Sequence, residues 1–467
     1  MSRKRNTLRT YVITSAQAYA SPHTRFWEGL VAYAKERNAE LIVLPMIGNS
    51  AAQDWTKERI HPLFRPFLQY NRKRLNSNLA IEQFNIRPYQ VDPLTGLNRF
   101  AQQGTSLVFA SPKQRLQPIA HSNQKYPKFL ITTGAVTRPN YATSADVSAE
   151  RRRLGSIARR DHVYGAIVVE VVDDEQYHFR NLRANSDGEF VDLGVMYCGN
   201  KQSAAKLEAM VLGDWHNGQT DPTVKAVTYD MITALNPRRL VLHDFFDGHS
   251  VSHHLWKKPV RELLIQIYDK GLFTLEGELR DGNTQLMEFN TLLNGADNST
   301  KNEILVVFSN HTAFLHRYLE ELRFEREPHN FRMAVDLLAW MAARDYNDPV
   351  EAGIKKFGKL PKNIKFLLED DDYKVYGYQL AAHGDKGLAG GYGSMKSKED
   401  DFGKSISGHV HKAQILRNTY TVGTSLPNNM FYMRGNPSDW THSHALLWNT
   451  GTVQLVHIIG DQWRAAK

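Results

Sequence analysis

The sequence predicts an α/β protein in two parts, and three observations predict it. The chain opens as strand, amphipathic helix and second buried strand. From about Lys206 onward, short apolar runs each end in Asp, Asn or His, the carboxyl-end position where layered α/β folds gather their ligand sites. The charge also divides: residues 1–205 hold 28 of the 58 Lys/Arg and 17 of the 49 Asp/Glu, a net +11, and residues 206–467 carry a net −2. A length of 467 residues suits two or three domains at roughly 100–200 residues each. We therefore expect a basic α/β (or α+β) domain over 1–205. A second domain is expected over 206–467, with an insertion at about 248–302.

In the first part, Tyr11–Ala16 reads as a strand, Thr24–Asn38 as a helix with apolar residues at helical spacing, and Leu41–Ile47 as a buried strand. Ser106–Ala110, Lys128–Thr133 and Gly165–Val172 read as further strands, and Asn185-Ser186-Asp187-Gly188 as the turn of a hairpin. Three basic clusters interrupt them: Arg72-Lys73-Arg74, Arg151-Arg152-Arg153 and Arg159-Arg160, the last two about two turns apart on a predicted helix. Such a module is the electrostatic footprint of a nucleic-acid partner, because neutralised phosphates release counterions. These eight residues are the candidate DNA contacts.

Composition narrows the classes. With 42% hydrophobic and 23% charged residues the chain is an ordinary globular protein, not a disordered, collagen-like or coiled-coil one. It has no run of about 18 apolar residues, so no membrane span is expected. Its basic start lacks the apolar core of a signal peptide, and a cytoplasmic location is expected. The single cysteine, Cys198, excludes intrachain disulfides and Cys-rich zinc modules, so a metal must be held by His, Asp, Glu or Asn. Gly403-Lys404-Ser405 imitates the end of a P-loop, but Lys398 stands where the first glycine belongs, which argues against ATP hydrolysis.

In the second part, strands are expected at Ala209–Gly213, Arg239–His243, Ile304–Ser309, Val375–Ala382 and Ser405–Gly408. Five short motifs lie at or just beyond their ends: Asp214-Trp215-His216, Asp244-Phe245-Phe246-Asp247, Ser309-Asn310-His311, Ala382-His383-Gly384 and Gly408-His409-Val410-His411. Two divalent ions about 3.5–4 Å apart need such a set, one carboxylate bridging while His, Asp and Asn complete each shell.

These motifs resemble the calcineurin-like metallophosphoesterase superfamily, whose pattern is D-x-H, G-D-x-x-D/N, G-N-H-D/E, H and G-H-x-H, and within it the nuclease subunit of the bacterial SbcCD complex and its relatives. Asn217-Gly218 after the first motif, Lys412 after the last and the small-residue run Thr421–Ser425 favour that nuclease branch. The resemblance covers about residues 206–460 and implies an αββα sandwich core, preceded here by the additional basic domain. It implies that Asp214, His216 and His411 hold one metal, that Asn310, His383 and His409 hold another, and that Asp244 bridges them. Asp247 supports the site and His311 acts as general acid, or transition-state stabiliser, while an activated water attacks phosphorus. Two divalent ions are implied, Mn²⁺ before Mg²⁺. Ser309, Thr312 and His243 depart from the family pattern; Thr312 removes the carboxylate that usually follows the general acid.

The expected function is a divalent-metal-dependent DNA nuclease. A phage or mobile-element enzyme that degrades host DNA suits this design, and its location would then be the host cytoplasm. The expected partners are DNA, a further copy of the chain in a dimer or larger oligomer, and an additional protein partner if the nuclease is not independent. No membrane partner is expected. Two alternatives stand beside this reading: a phosphoesterase for a small molecule, nucleotide or phosphoprotein, and a non-catalytic nucleic-acid binding or assembly protein. His249, His253 and His254 and the glycine run 387–393 read as loops, Glu369–Asp372 as a solvated turn, Phe246 as core, and Trp215 as either core or base-stacking.

Overall fold

A computed structural model describes residues 8–47, 56–101, 104–121, 126–254, 274–295, 301–326, 328–387, 393–428, 430, 435 and 437–465. Contacts divide the chain into two units: one of 1–208, 412–421 and 428–467, the other of 209–411 and 422–427. Both are mixed α/β. The expected second domain of 206–467 thus gives up two C-terminal segments to the first unit.

In the first unit, β1 (Arg9–Gln17) pairs in parallel with β2 (Glu40–Met46) and α1 (Thr24–Glu36) connects them, as the opening pattern predicts. Phe26, Trp27, Leu30, Tyr33 and Ala34 recur every three or four residues on one face of α1, and that face packs on Val12, Val43, Val168 and Leu182. On its other edge β1 pairs antiparallel with β8 (Gly165–Val171), β8 with β9 (Tyr177–Arg183), β9 with β23 (Val453–His457), and β23 with β22 (Ser443–Trp448). A second sheet runs β20 (Gln414–Leu416), β6 (Arg115–Ile119), β7 (Lys128–Thr132), β5 (Ser106–Phe109), β4 (Leu79–Ile81), β3 (Lys73–Asn76), with β21 (Thr419–Thr421) on β20. Helix α2 (Asn98–Ala101) and the arginine-rich α3 (Ala149–Arg160) also belong to this unit.

The turn Asn185–Gly188 forms, with Gly188 N–H on the Asn185 carbonyl, but it does not make the expected hairpin. Both edges of β9 are already taken, so β10 (Phe190–Asp192) joins β11 (Val195–Cys198) and β12 (Lys201–Ala204) in a separate sheet. The hairpin is instead β8–β9.

A buried ionic network explains why the C-terminal strands stay with the N-terminal ones. Arg180 on β9 is 1% exposed and grips Glu170 on β8 through both terminal nitrogens (3.0 Å each), while its Nε donates to Asp192 Oδ1 (2.8 Å). Tyr33 OH and Gln454 Nε2 also donate to Asp192 (2.8 and 2.9 Å), and Ala465 N–H donates to Glu170 (3.1 Å). A buried carboxylate must be paired and hydrogen-bonded, so Asp192 and Glu170 tie α1, β9, β23 and residue 465 together.

In the second unit β13 (Leu207–Val211), β14 (Arg239–Leu242), β15 (Glu303–Val307) and β16 (Ile364–Leu367) form a parallel ladder, buried as such strands are. Helix α4 (Pro222–Leu235) joins β13 to β14, opening on an Asp221 cap with proline in its first turn and closing on left-handed Asn236. The expected insertion contains α5 (Leu275–Asn294), the helix of the crossover from β14 to β15; residues 255–273 and 296–300 lie outside the described residues. Helices α6 (Thr312–Glu320), α7 (Pro328–Ala342) and α8 (Pro349–Lys356) lead to β16. The expected strand Val375–Ala382 is broken: Tyr376 and Gly377 take positive φ, and β17 (Lys374–Val375) turns back on β18 (Tyr378–Gln379). Helix α9 (Met395–Phe402) precedes β19 (Ser405–Ser407), and Gly403 ends that helix where a P-loop glycine would begin one. No helix of the described residues is long and apolar enough to cross a membrane.

Burial alone would raise the Glu170 and Asp192 carboxyls, but Arg180 overrides it and holds both below the ordinary range. Depressed folded values mean that their contribution is present above about pH 4 and is lost as the pH falls. Arg180→Met leaves both carboxylates buried without their main counter-charge. It is expected to destabilise the first unit by about 3–5 kcal/mol, read from urea unfolding at neutral pH.

Candidate metal centre

All nine expected site residues lie in the second unit, beyond the carboxyl ends of its strands: Asp214 and His216 after β13, Asp244 and Asp247 after β14, Asn310 and His311 after β15, His383 after β18, and His409 and His411 after β19. The parallel pairing continues past β13 and β14 as main-chain bonds from Trp215, His216 and Asn217 N–H to the carbonyls of His243, Asp244 and Phe245 (2.8–3.0 Å). Asp214 is held from its other side, its N–H on the Gly423 carbonyl (3.0 Å) and its own carbonyl accepting from Ser425 N–H (2.8 Å), which places the run Thr421–Ser425 beside it. His216, Asp244, His409 and His411 all take positive φ, from +44° to +74°. Such backbone costs about 1–3 kcal/mol per residue and persists where surrounding bonds over-determine it, often at functional sites.

The side chains form one compact donor set, and Asn310, His383 and His409 lie beside it. Within the set, Asp214, His216, Asp244 and His411 each bring one ligand atom within 4.8 Å of the others. His216 Nε2 lies 3.3 Å from His411 Nε2 and 3.7 Å from Asp244 Oδ2, and His411 Nε2 lies 3.2 Å from Asp214 Oδ2. Beside it, His409 Nδ1 stands 3.2 Å from Asn310 Oδ1, and the His383 and His409 rings are 5.3 Å apart. His383 Nε2 is 3.2 Å from Asp244 Oδ2, the same oxygen that faces His216. Asp244 therefore faces both His216 and His383.

This arrangement fits divalent cations on its own chemistry. Asp214 and Asp244 are fully buried, and Oδ1 of each has no hydrogen-bond partner among the described residues. A buried charged oxygen left so is costly unless a counter-charge meets it. Gly408 makes room for one of them, since a Cβ there would fall 2.0 Å from Asp214 Oδ1. The carboxyl of Asp244 is held well below the ordinary range, the neighbouring His383 and His311 outweighing its burial.

Two histidines are oriented by Asp247. His216 Nδ1–H donates to Asp247 Oδ1 (2.9 Å), which turns Nε2 towards His411 and Asp244. A metal-binding histidine is held this way by its second nitrogen. Burial would lower the His216 pKa, but that bond and the carboxylates of Asp244 and Asp214 raise it to about 9. His311 Nδ1–H donates to the Asp247 main-chain carbonyl (2.6 Å), and its ring remains partly exposed. Thr312 serves the start of α6, its N–H on Ser309 Oγ (3.2 Å).

His243 is accommodated at its strand end, completely buried with its ring 5.5 Å from that of His383. Burial and His383 push its pKa down to about 3, so it is neutral. Trp215 is fully buried against Phe289, and Phe246 is buried as expected, so neither can stack on a base. Glu369–Asp372 are exposed. The His253 and His254 rings lie 3.9 Å apart and each meets Phe314 edge-on; residues 388–392 of the glycine run lie outside the described residues. Sequence reasoning missed Lys398 of α9, 1% exposed, whose ammonium donates to Ser407 Oγ (2.9 Å) behind the last motif. Its spacing from that motif carried no signal.

The candidate DNA contacts lie in the first unit. Arg72 pairs with Glu82 (3.5 Å), Lys73 with Glu40, and Arg160 with Asp161 (2.8 Å). Arg74 on β3 is exposed, as are Arg151, Arg152, Arg153, Arg159 and Arg160 on α3. Arg151, Arg152 and Arg153 have no carboxylate partner among the described residues.

No family model matches the chain, and no solved structure matches it. Among curated proteins it is similar to Protein A1 of Escherichia phage T5, with 24% identity over 473 residues that cover 96% of this chain and 81% of that protein.

A cation at His216 must displace the proton that it carries at neutral pH. Mn²⁺ affinity is therefore expected to rise with pH up to about 9. Titration calorimetry at pH 7.5 in two buffers of different ionisation enthalpy checks this, with an expected release of about one proton per chain.

Proposed function

We propose that the chain is a divalent-metal-dependent nuclease that hydrolyses phosphodiester bonds of DNA, with a metallophosphoesterase-type centre in the second unit and nucleic-acid-holding surfaces in the basic first one. The observation that carries this reading is Asp244 Oδ2 standing 3.7 Å from His216 and 3.2 Å from His383, a carboxylate placed to serve two donor sets. Asp214, His216 and His411 would hold one Mn²⁺, and Asn310, His383 and His409 the other. When bound, such a pair polarises the phosphoryl oxygens and lowers the pKa of water.

The remaining roles belong to the chain. Asp247 holds His216 and His311 in register through its carboxylate and its carbonyl. With Nδ1 engaged, His311 keeps Nε2 for the substrate. As the P–O bond to the leaving sugar breaks, His311 in its imidazolium form would give its Nε2 proton to the departing oxygen, while the attacking water bonds to phosphorus through its oxygen and releases a proton to solvent. The exposed α3 arginines supply charge to hold phosphates along the strand. The phage source of the similar protein suits a chain that acts on DNA in the cytoplasm of an infected cell.

Supercoiled and linear plasmid incubated with the protein in Mn²⁺, Mg²⁺ or EDTA tests the reading. Cleavage is expected with either metal and not with EDTA, absent in Asp244→Ala and slowed about 10²–10⁴-fold in His311→Ala. Intact DNA in every lane, with hydrolysis of p-nitrophenyl phosphate, would instead favour a small-substrate phosphoesterase. Binding without any hydrolysis would favour a binding protein. Arg152→Ala with Arg159→Ala is expected to reduce the slope of log affinity against log salt by roughly 2, measured by fluorescence anisotropy on duplex DNA.

A further inference from the structure

We propose that Glu278 is a positioning residue for the metal centre: together with Asn330 it clamps the turn His249–Val251 and so fixes Asp247 against His216 and His311. The inference rests on the reading of the centre given above, and it assigns a role to a helix that carries none of the five motifs.

Glu278 lies in the first turns of α5, in the crossover between β14 and β15, and is 6% exposed. Its carboxyl does not pair with a cation among the described residues. It accepts from three donors of one turn: the N–H of His249 (2.9 Å), the N–H of Ser250 (3.1 Å) and the Ser250 hydroxyl. Asn330 on α7, also buried, completes the grip. Its Nδ2 donates to the Ser250 carbonyl (3.1 Å) and its Oδ1 accepts from Leu275 N–H at the start of α5 (2.8 Å). Ser250 is thus held at its N–H, carbonyl and hydroxyl by two helices.

What this fixes is the residue just before the turn. Gly248 takes φ +65°, and a Cβ there would meet Phe246, the His311 carbonyl and Phe314 at 3.0–3.2 Å. The chain therefore passes His311 at close quarters, and a shift of the turn moves Asp247 with it. Asp247 has both of its contacts to the centre at stake, the 2.9 Å bond to His216 and the 2.6 Å bond to His311. Loss of such an outer support costs roughly 10–100-fold in metal affinity. Both oxygens of the Glu278 carboxyl are engaged, Oε1 by His249 N–H and Oε2 by Ser250, so an amide, which keeps one acceptor and turns an NH2 towards the other donor, holds the turn less well.

Mn²⁺ affinity by calorimetry and hydrogen exchange of the 245–251 segment, measured on the full chain well below its melting temperature, test the proposal. Glu278→Ala is expected to bind Mn²⁺ about tenfold more weakly than the parent with exchange at 245–251 accelerated, and Glu278→Gln to fall between the two. A merely structural glutamate would lower the melting temperature and leave the affinity of the folded protein unchanged, which overturns the proposal. If Glu278→Ala does not fold, Ser250→Ala, which removes one of the three donors, takes its place. Parent affinity and parent exchange in that variant also overturn it. If the parent binds no Mn²⁺, the metal reading has failed, and exchange at 245–251 alone decides whether the clamp exists.

Discussion

Two carboxylates taken wholly out of water at the ends of adjacent parallel strands set the terms for the rest of the second unit. Asp214 and Asp244 each keep a buried oxygen without a donor, and the surrounding residues serve to hold that costly arrangement in place. Main-chain bonds extend the β13–β14 pairing past its end, four residues take left-handed backbone so that their side chains turn inward, and a glycine stands where any side chain would strike Asp214. A parallel sheet suits the task, because its buried strands end together on one edge and their loops converge there. The Nε2 atoms of His216 and His411 then stand 3.3 Å apart, within hydrogen-bond reach of each other.

Much of this was legible in the residues. The five motifs carry their chemistry in local spacing and lie at strand ends; the first three converge because they end the parallel ladder, whereas the last two follow β18 and β19 of another sheet. The opening strand, helix and strand were legible for a similar reason, since the 3.6-residue period of Phe26, Leu30 and Tyr33 and the apolar run after it are local signals. What escaped depends on partners distant in the chain. Glu278 and Lys398 look like ordinary surface residues of polar helices until the fold buries them. The turn at Asn185–Gly188 was correctly a turn, yet pairing is decided by which strand edges remain free, and β9 had none. Tyr376 at positive φ interrupts an apolar run that reads as continuous.

Ser309, Thr312 and His243 each have a physical place in the second unit. Ser309 Oγ accepts from Thr312 N–H at the first residue of the helix that follows. His243 stays neutral by burial and adds no charge to an already crowded centre. In the basic part, the first cluster is largely met by acidic neighbours, whereas the arginines of α3 face solvent. Charge counted along the chain could not separate those cases.

The division of the chain has a consequence for how the protein is made. The Asp192 network that unites the first unit includes Gln454 and, through Glu170, Ala465. The second unit, almost continuous from 209 to 411, is emitted in between. During synthesis from the N-terminus the second unit can gather nearly all of its strands while the first still lacks β20 to β23 and keeps Arg180, Glu170 and Asp192 without their last partners. The first unit closes late, across a loop of more than 200 residues, which makes its pairing the slow, non-local step of assembly.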